Sequence, residues 1–396
     1  MSGDRLVATY LATLPADRAG AERAAAAFAE GQTIGTWTPV PGITDEMRRL
    51  HGGRVEGLRE LEAGEVVAGE PTDGSGWWLQ VSFPTVNFGP QFPMLFTTLL
   101  GNDPSTSIAA RLVDIEISAE FAGGFPGPGE GPAGWRRITG VEARPIVINM
   151  IKPCTGYPPD VGAAFVADSA RGGVDLIKDD ELLADPTFAR AEDRARAYRR
   201  ALDEVAEETG HRARYVANVT TRGAVQLDVA RAAVGGGADA LMVNALAIGP
   251  DGLQRVAEAR LGVPILAHTA GIETFTTATA GGYGQALLLG RLLRLAGADA
   301  VLTSTPLAAR PLSPSRYRAA LDACADDWVG LRPTMPMVGG GLTADHVEAI
   351  VDAAGIDVII GVGGAIQGHP DGVVAGGRAV MAAVREAIGR RMAATP

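Results

Sequence analysis

The sequence predicts an α/β protein in which a C-terminal (β/α)8 TIM barrel follows a smaller N-terminal α+β domain. Eight short apolar runs alternate with helix-like stretches over the last two thirds of the chain, and several of these helices end near a glycine. Such a repeat of strand and helix is typical of a barrel of about 250 residues, whereas a doubly wound open sheet, the alternative, usually has fewer strands. The glycine- and proline-rich segment FAGGFPGPGEGPAGW separates the two parts. We therefore expect domains at residues 1–125 and 126–396.

The individual elements follow from the pattern of apolar residues. The first domain contains strand-like stretches such as DRLVATYLATL, GWWLQVSFPTV and ARLVDIEIS, and helix-like stretches such as DRAGAERAAAAFAEG and FPMLFTTLLG. The eight barrel strands are predicted, in chain order, at RPIVINMI, VDLI, RYVANV, ADALMVNAL, VPILAH, ADAVLTS, MPMVGG and DVIIGVGG.

Composition and charge exclude several classes of function. The formal net charge of -11 argues against a nucleic-acid-binding protein, which needs a basic surface. The sequence has no apolar run of the roughly 18 residues that a membrane span needs, and its N-terminus lacks the pattern of a secretory signal. The only cysteines, Cys154 and Cys324, do not form a disulfide framework. We expect a cytoplasmic protein that binds a small molecule, with no membrane or nucleic-acid partner.

Lysine is almost absent from this chain. Of the 35 basic residues only Lys152 and Lys178 are lysines, and a GC-rich genome, which favours arginine codons, explains the bias. Under that bias a lysine is expected to persist where arginine cannot replace it. Arginine stays protonated, whereas a buried lysine can lose its proton and act as a nucleophile or a base.

Active residues of TIM barrels lie at the carboxyl ends of the strands and in the loops that follow them. The unusual polar residues and glycines of this chain fall at those places. They are Lys152 after the first strand, Lys178, Asp180 and Glu181 after the second, Asn218 after the third, Asn244 after the fourth, His268 at the end of the fifth, Gly339–Gly341 after the seventh, and Gly363 and Gly364 after the eighth.

Asp180 and Glu181 supply the oxygen ligands that Mg²⁺ prefers. Lys178 becomes a third ligand if its uncharged amine reacts with CO2 to form a carbamate, which arginine cannot easily do. The alternative is an ion-paired cluster in which Lys178 neutralises the neighbouring acids.

The other candidates have catalytic and structural interpretations as well. Lys152 is a candidate for proton transfer at a carbon next to a carbonyl, or else an anchor for a phosphate or carboxylate. His268 is a candidate catalytic residue, although a single strand-end histidine is often a buried core residue. The bare backbone N–H groups of Gly339, Gly340, Gly363 and Gly364 are candidates for binding a phosphate.

These motifs resemble those of ribulose-bisphosphate carboxylase and the RuBisCO-like proteins. The segment GGVDLIKDDE resembles the family's metal-site signature, and IKP at residues 151–153 and GGAIQGHP at 363–370 resemble its first-strand and eighth-loop motifs. GTWTPV at 35–40 and LLGN, which ends at Asn102, resemble its N-terminal motifs. The matching segments follow the family's order and cover nearly the whole chain.

The resemblance implies a head-to-tail homodimer with shared active sites. It also implies that Lys178 is carbamylated by CO2 and that Mg²⁺ is bound by Lys178, Asp180 and Glu181. Asn102 would bind substrate in the neighbouring subunit's site. Glu30 would correspond to a further active-site glutamate, although it lies one residue further from GTW than the carboxylase pattern has it.

Departures from the carboxylase pattern limit the function. Cys154 replaces a second lysine of the first-strand motif, and the sixth loop, TSTPLAARPLSPS, contains no lysine. Thr269 and Leu302 replace the arginine and the histidine that help to bind a second phosphate. The resemblance therefore implies no CO2 fixation on a bisphosphate, but formation of an enediolate from a monophosphorylated keto-sugar or keto-acid.

Within this function three outcomes stay open: a methionine-salvage enolase, an isomerase of a methylthioribulose phosphate, and a decarboxylase of a sugar-acid phosphate. Two further classes are a Schiff-base aldolase that uses a barrel lysine and a non-catalytic regulatory homologue. Retention of Lys178, Asp180 and Glu181 together argues against the regulatory homologue.

Overall fold

The structure is a computed structural model, which describes residues 4–36, 38, 40–277 and 281–394. Fourteen strands lie within these residues: β1 Arg5–Ala12, β2 Arg54–Glu60, β3 Ala63–Val67, β4 Glu70–Asp73, β5 Trp77–Pro84, β6 Ala110–Glu116, β7 Ile146–Met150, β8 Leu176–Lys178, β9 Arg214–Asn218, β10 Ala240–Asn244, β11 Ile265–His268, β12 Ala300–Thr303, β13 Met335–Val338 and β14 Ile359–Val362.

The helices of the described residues include short and irregular ones. The α-helices span Arg18–Gly31, Asp45–His51, Phe92–Leu100, Asn102–Thr106, Ala119–Ala122, Pro132–Thr139, Pro159–Arg171, Ala191–Thr209, Gln226–Gly236, Ala245–Glu258, Glu273–Thr276, Pro314–Ala325, Val347–Ala354, Gly364–Gln367 and Val373–Ala394. Leu287–Leu293 is a π-helix, and Thr85–Asn87 and Ala344–His346 are 3₁₀ turns. No helix of the described chain is long and apolar enough to cross a membrane.

The chain divides into two compact units. The first comprises Met1–Pro126, Gly271–Leu295 and Ser315–Leu331, and the second comprises Gly127–Ala270, Ala296–Pro314 and Arg332–Pro396. Two stretches that follow β11 and β12 in the chain thus belong to the first unit. The domain boundary after residue 125 stays a prediction.

The first unit is built on a four-stranded antiparallel sheet in the order β2–β5–β1–β6. The alternating pattern of β1 buries Leu6, Ala8 and Tyr10 on one face. The helix Arg18–Gly31 begins at Asp17, whose Oδ1 accepts a hydrogen bond from the Gly20 amide at 2.8 Å. The strands β3 and β4 form a separate hairpin.

The second unit contains the predicted barrel, which confirms the fold class. Strands β7 to β14 pair in parallel and close in the order β10–β11–β12–β13–β14–β7–β8–β9. All eight predicted apolar runs form strands of this barrel. Because every strand is parallel, all eight carboxyl ends lie at one rim.

Side chains from the strands and from the helix Pro132–Thr139 form the core of the second unit. Trp135 of that helix is fully buried and belongs to one cluster with Ile146, Leu266 and Ile359. Arg136 beside it donates hydrogen bonds to the carbonyls of Val141, Arg144 and Ile356, which satisfies a polar side chain at this apolar cluster.

Replacing Trp135 by alanine should lower the free energy of unfolding by about 3–5 kcal/mol, because it leaves a large cavity in the barrel core. Arg137→Ala on the same helix is the control, since Arg137 is exposed and its ion pair with Glu130 should contribute less than about 1 kcal/mol. Urea denaturation followed by circular dichroism measures both. A loss for Trp135→Ala as small as the loss for Arg137→Ala would contradict the placement of Trp135 in the core.

Candidate functional site

The ends of five barrel strands bring sequence-predicted residues into one cavity. Lys178 is the last residue of β8 and His268 the last of β11, while Lys152 follows β7 by two residues. The cavity has a volume of about 600 Å³. Its lining includes the predicted residues Lys152, Lys178, Asp180, Glu181, His268, Gly339, Gly340, Gly363 and Gly364.

Lys178 is fully buried, although its side chain lines the cavity. Its Nζ donates a hydrogen bond to the backbone carbonyl of Asp179 at 2.8 Å. Burial lowers the pKa of Lys178 from its ordinary value to about 8, against the opposing effect of the carboxylates of Glu181 and Asp180. About a tenth of this amine is therefore uncharged at pH 7, and about half at pH 8.

Lys152 and Asp180 form an ion pair at the same place. Lys152 Nζ lies 2.5 Å from Asp180 Oδ2 and 3.2 Å from Cys154 Sγ. Burial favours the neutral forms of both partners, but the hydrogen bond between them outweighs the effect of burial. It raises the pKa of Lys152. Together with a hydrogen bond from the Leu182 amide, it lowers the pKa of Asp180. In this state Lys152 is a proton donor.

His268 is an uncharged imidazole in this environment. Burial, followed by the positive charges of Lys178 and Lys152, lowers the pKa of His268 well below its ordinary value. The Ala270 amide donates a hydrogen bond to Nδ1 at 3.2 Å, so the neutral ring carries its proton on Nε2. That nitrogen lies 3.7 Å from Glu181 Oε2.

The donor set fits a hard cation only if Lys178 takes part. Within residues 4–36, 38, 40–277 and 281–394, no group of three or more histidines, cysteines and acidic residues is placed to hold a metal. Asp180 and Glu181 supply two carboxylates, and the Lys152 ammonium beside Asp180 shows that this carboxylate accepts a cation. A carbamate on Lys178 would add the third anionic oxygen.

The glycines of the last two loops have backbone conformations that suit a close approach of ligand. Gly340 and Gly341 have φ angles of 106° and 81°, in the left-handed region that glycine adopts without strain. Gly363 precedes the short helix Gly364–Gln367, and a Cβ at Gly364 would meet no atom within 4 Å. Phosphate binding by these glycines stays a prediction.

Sequence reasoning missed an apolar part of the lining. Met150, Met337 and Leu342 line the cavity, and so does Leu302, the residue that replaces a histidine of the carboxylase pattern. Their positions at or just beyond the strand ends are the signal that would have found them. Thr269 does not offer its hydroxyl to the cavity, because Oγ1 donates to the Leu302 carbonyl at 2.8 Å.

The N-terminal candidates belong to the first unit. Asn102 is exposed at the start of the helix Asn102–Thr106, and Glu30 lies 3.7 Å from Arg48 as an ion pair. The GTWTPV motif includes Trp37 and Pro39, which lie outside the described residues. The substrate-binding role of Asn102 and the role of Glu30 stay predictions.

Comparison with known proteins identifies the family. The sequence model of the family described as ribulose bisphosphate carboxylase large chain, catalytic domain, matches residues 133–309 and 317–392 of this chain. The chain belongs to this family. A ribulose bisphosphate carboxylase-like protein of Archaeoglobus fulgidus is 39% identical over 90% of this chain and 82% of its own.

Further relatives cover nearly the whole chain. A 2,3-diketo-5-methylthiopentyl-1-phosphate enolase of Geobacillus thermodenitrificans is 36% identical over 98% of this chain and 93% of its own. The crystal structure of a rubisco-like protein from Alicyclobacillus acidocaldarius has a TM-score of 0.85 and 33% identity, covering 96% of this chain and 93% of that one. A carboxylase from Pyrococcus horikoshii is as similar in fold, with a TM-score of 0.87, but only 28% identical.

The scarcity of lysine allows a direct test of the two amines. In protein labelled with ¹⁵N-lysine and kept free of CO2, we expect two side-chain resonances. Lys178 should lose its proton as the pH rises through about 8, whereas Lys152 should keep its proton to above its ordinary pKa. NMR titration measures both, and the Lys152→Met variant assigns the signals. Two lysines that both titrate above pH 10 would contradict the description of Lys178.

Proposed function

We propose that this protein is a Mg²⁺-dependent enzyme that forms an enediolate from a monophosphorylated keto-sugar or keto-acid and does not fix CO2. The observation that carries the proposal is the convergence of Lys152, Lys178, Asp180, Glu181 and His268 on one cavity. The names of its relatives favour the enolase among the three outcomes that the sequence left open. We therefore take 2,3-diketo-5-methylthiopentyl 1-phosphate as the first substrate to test.

Lys178, as a carbamate, would hold the Mg²⁺ together with Asp180 and Glu181. When bound, the cation supplies a Lewis acid that polarises a substrate carbonyl and stabilises the negative charge that develops on its oxygen. The lowered pKa of the Lys178 amine supports this assignment, because only a neutral amine attacks CO2.

Lys152, or the carbamate on Lys178, is proposed to move the proton, and the surroundings of Lys152 suit it to this role. The hydrogen bonds to Asp180 and Cys154 are what raise its pKa, and burial acts in the opposite direction. A change that separates Lys152 from Asp180 would therefore lower its pKa and let it exchange a proton with a carbon next to a carbonyl. His268, which keeps a proton on Nε2, would donate a hydrogen bond to a substrate oxygen.

The apolar lining supports a substrate with a single phosphate. The glycines of the seventh and eighth loops would bind that phosphate. Leu302 and Thr269 supply no cationic side chain where the carboxylases bind a second one, and the Thr269 hydroxyl is already hydrogen-bonded to a carbonyl. A substrate end without charge would fit this wall.

We also propose that the protein is cytoplasmic and that it forms a homodimer. A dimeric relative is known among the solved structures, an archaeal carboxylase from Hyperthermus butylicus with a TM-score of 0.85 and 28% identity. In a homodimer of the family type, Asn102 would complete the partner's site.

Lys178→Arg should abolish both tight Mg²⁺ binding and activation by CO2, because arginine keeps the charge but cannot form the carbamate. Calorimetric titration with Mg²⁺ in bicarbonate buffer measures the affinity. In the protein without substitutions, the affinity for Mg²⁺ should rise as the pH is raised through about 8, because the neutral amine of Lys178 forms. Unchanged affinity in the variant would refute the carbamate.

The reaction itself is tested with substrates in deuterated water. With Mg²⁺ and bicarbonate present, the 2,3-diketo-5-methylthiopentyl phosphate should exchange the proton next to its carbonyl, and Lys152→Met should slow this exchange by about 100-fold or more.

Ribulose bisphosphate should not be carboxylated, and incorporation of labelled CO2 into it would overturn the proposal. Full activity in the presence of a chelator, with borohydride trapping of substrate on a lysine, would favour the Schiff-base aldolase instead.

A further inference from the structure

Asp179 lies between two proposed metal ligands but has a different environment. It is fully buried, and it is not among the residues that line the cavity. Its Oδ2 accepts hydrogen bonds from the Tyr215 hydroxyl at 2.6 Å, the Asn218 amide at 2.9 Å and Arg194 Nη2 at 2.9 Å. The carboxylate is thus fixed inside the barrel wall rather than offered to a ligand.

Arg194 holds more than this carboxylate. It is fully buried in the helix Ala191–Thr209, and its Nε also donates to Asp179 Oδ1 at 3.3 Å. Its remaining N–H groups donate to the carbonyls of Ala184 at 2.6 Å, Leu183 at 3.4 Å and Ala189. One guanidinium therefore binds both ends of residues 179–189, the β8 loop, which carries Asp180 and Glu181.

The near end of the β8 loop is held by amide side chains of the next two strands. Asn218 Nδ2 donates to the carbonyls of Asp180 at 3.1 Å and Glu181 at 3.3 Å, and Asn244 Nδ2 donates to the carbonyl of Glu181 at 2.9 Å. The backbone on which both carboxylates stand is therefore fixed. The side chains of Asp180 and Glu181 can then face the cavity, because Asp179 and the backbone, rather than these two carboxylates, connect the loop to the helix Ala191–Thr209.

We propose that Arg194 and Tyr215 are positioning residues that, by anchoring Asp179, hold Asp180 and Glu181 in the geometry that binds the cation. This inference rests on the proposed Mg²⁺ site. A five-donor planar group is required here, because lysine could not span Asp179 and three carbonyls. Loss of either anchor should weaken metal binding without removing a ligand.

Tyr215 and Tyr198 offer a matched pair of substitutions. Their rings contact each other, with centroids 4.9 Å apart, and both are buried. Burial and the charge of Asp179 keep the pKa of Tyr215 high, so its hydroxyl donates to that carboxylate. The groups that the structure shows donating hydrogen bonds to the Asp179 carboxylate do not include the Tyr198 hydroxyl. Tyr215→Phe thus removes a hydrogen bond to Asp179, whereas Tyr198→Phe removes a hydroxyl from the neighbouring ring and leaves the hydrogen bonds to Asp179 in place.

The test measures Mn²⁺ affinity by electron paramagnetic resonance in bicarbonate buffer, and hydrogen exchange of the backbone amides at 180–185 and 187–189. Tyr215→Phe should raise the Kd for Mn²⁺ about tenfold and speed exchange in the β8 loop, since a hydrogen bond to a charged group is lost. Arg194→Lys should have a larger effect on both. Tyr198→Phe should change neither.

Three results are distinguishable. If the unsubstituted protein binds Mn²⁺ but Tyr215→Phe keeps its affinity and its exchange rates, the inference is wrong and the proposed function stands. Equal weakening by Tyr198→Phe and Tyr215→Phe would assign the effect to aromatic packing and also overturn the inference. If the unsubstituted protein binds no Mn²⁺ in bicarbonate buffer, the proposed function itself fails.

Discussion

The burial of one lysine amine is the constraint on which the rest of this site depends. Lys178 ends a barrel strand with no exposed surface, and its amine is hydrogen-bonded to a backbone carbonyl. Removing an ammonium from water is unfavourable, which lowers its pKa and makes the neutral amine accessible. The acidic neighbours limit this shift. The balance between burial and charge leaves a lysine whose pKa is about 8, so that its neutral form is present as a minor fraction at pH 7.

The fold supplies this balance by sorting the charges of the KDDE segment. Asp179 is compensated by Arg194 inside the wall, so that its charge is paired away from the cavity. Asp180 faces the cavity, where Lys152 serves as its counter-ion. The parallel barrel makes the sorting possible, because β7, β8 and β11 deliver Lys152, Lys178 and His268 to the same rim.

The sequence predicted the eight barrel strands and the cavity-facing polar residues, because both follow from local pattern and from chain order. The partners of Asp179 could not be predicted in this way, since Arg194 lies within an amphipathic helix and Tyr215 within a strand that reads as core. The apolar wall of Met150 and Met337 looks like ordinary strand sequence. The π-helix Leu287–Leu293 was missed, since its leucine-rich run has the same pattern as an α-helix.

The most direct test of this account is a crystal structure of the protein grown with Mn²⁺ and bicarbonate. We expect an anomalous peak between Asp180 and Glu181, and additional density on Lys178 Nζ in the form of a carbamate that also contacts the metal. An unmodified Lys178 with Lys152 still paired to Asp180, and the metal bound elsewhere or absent, would contradict the account.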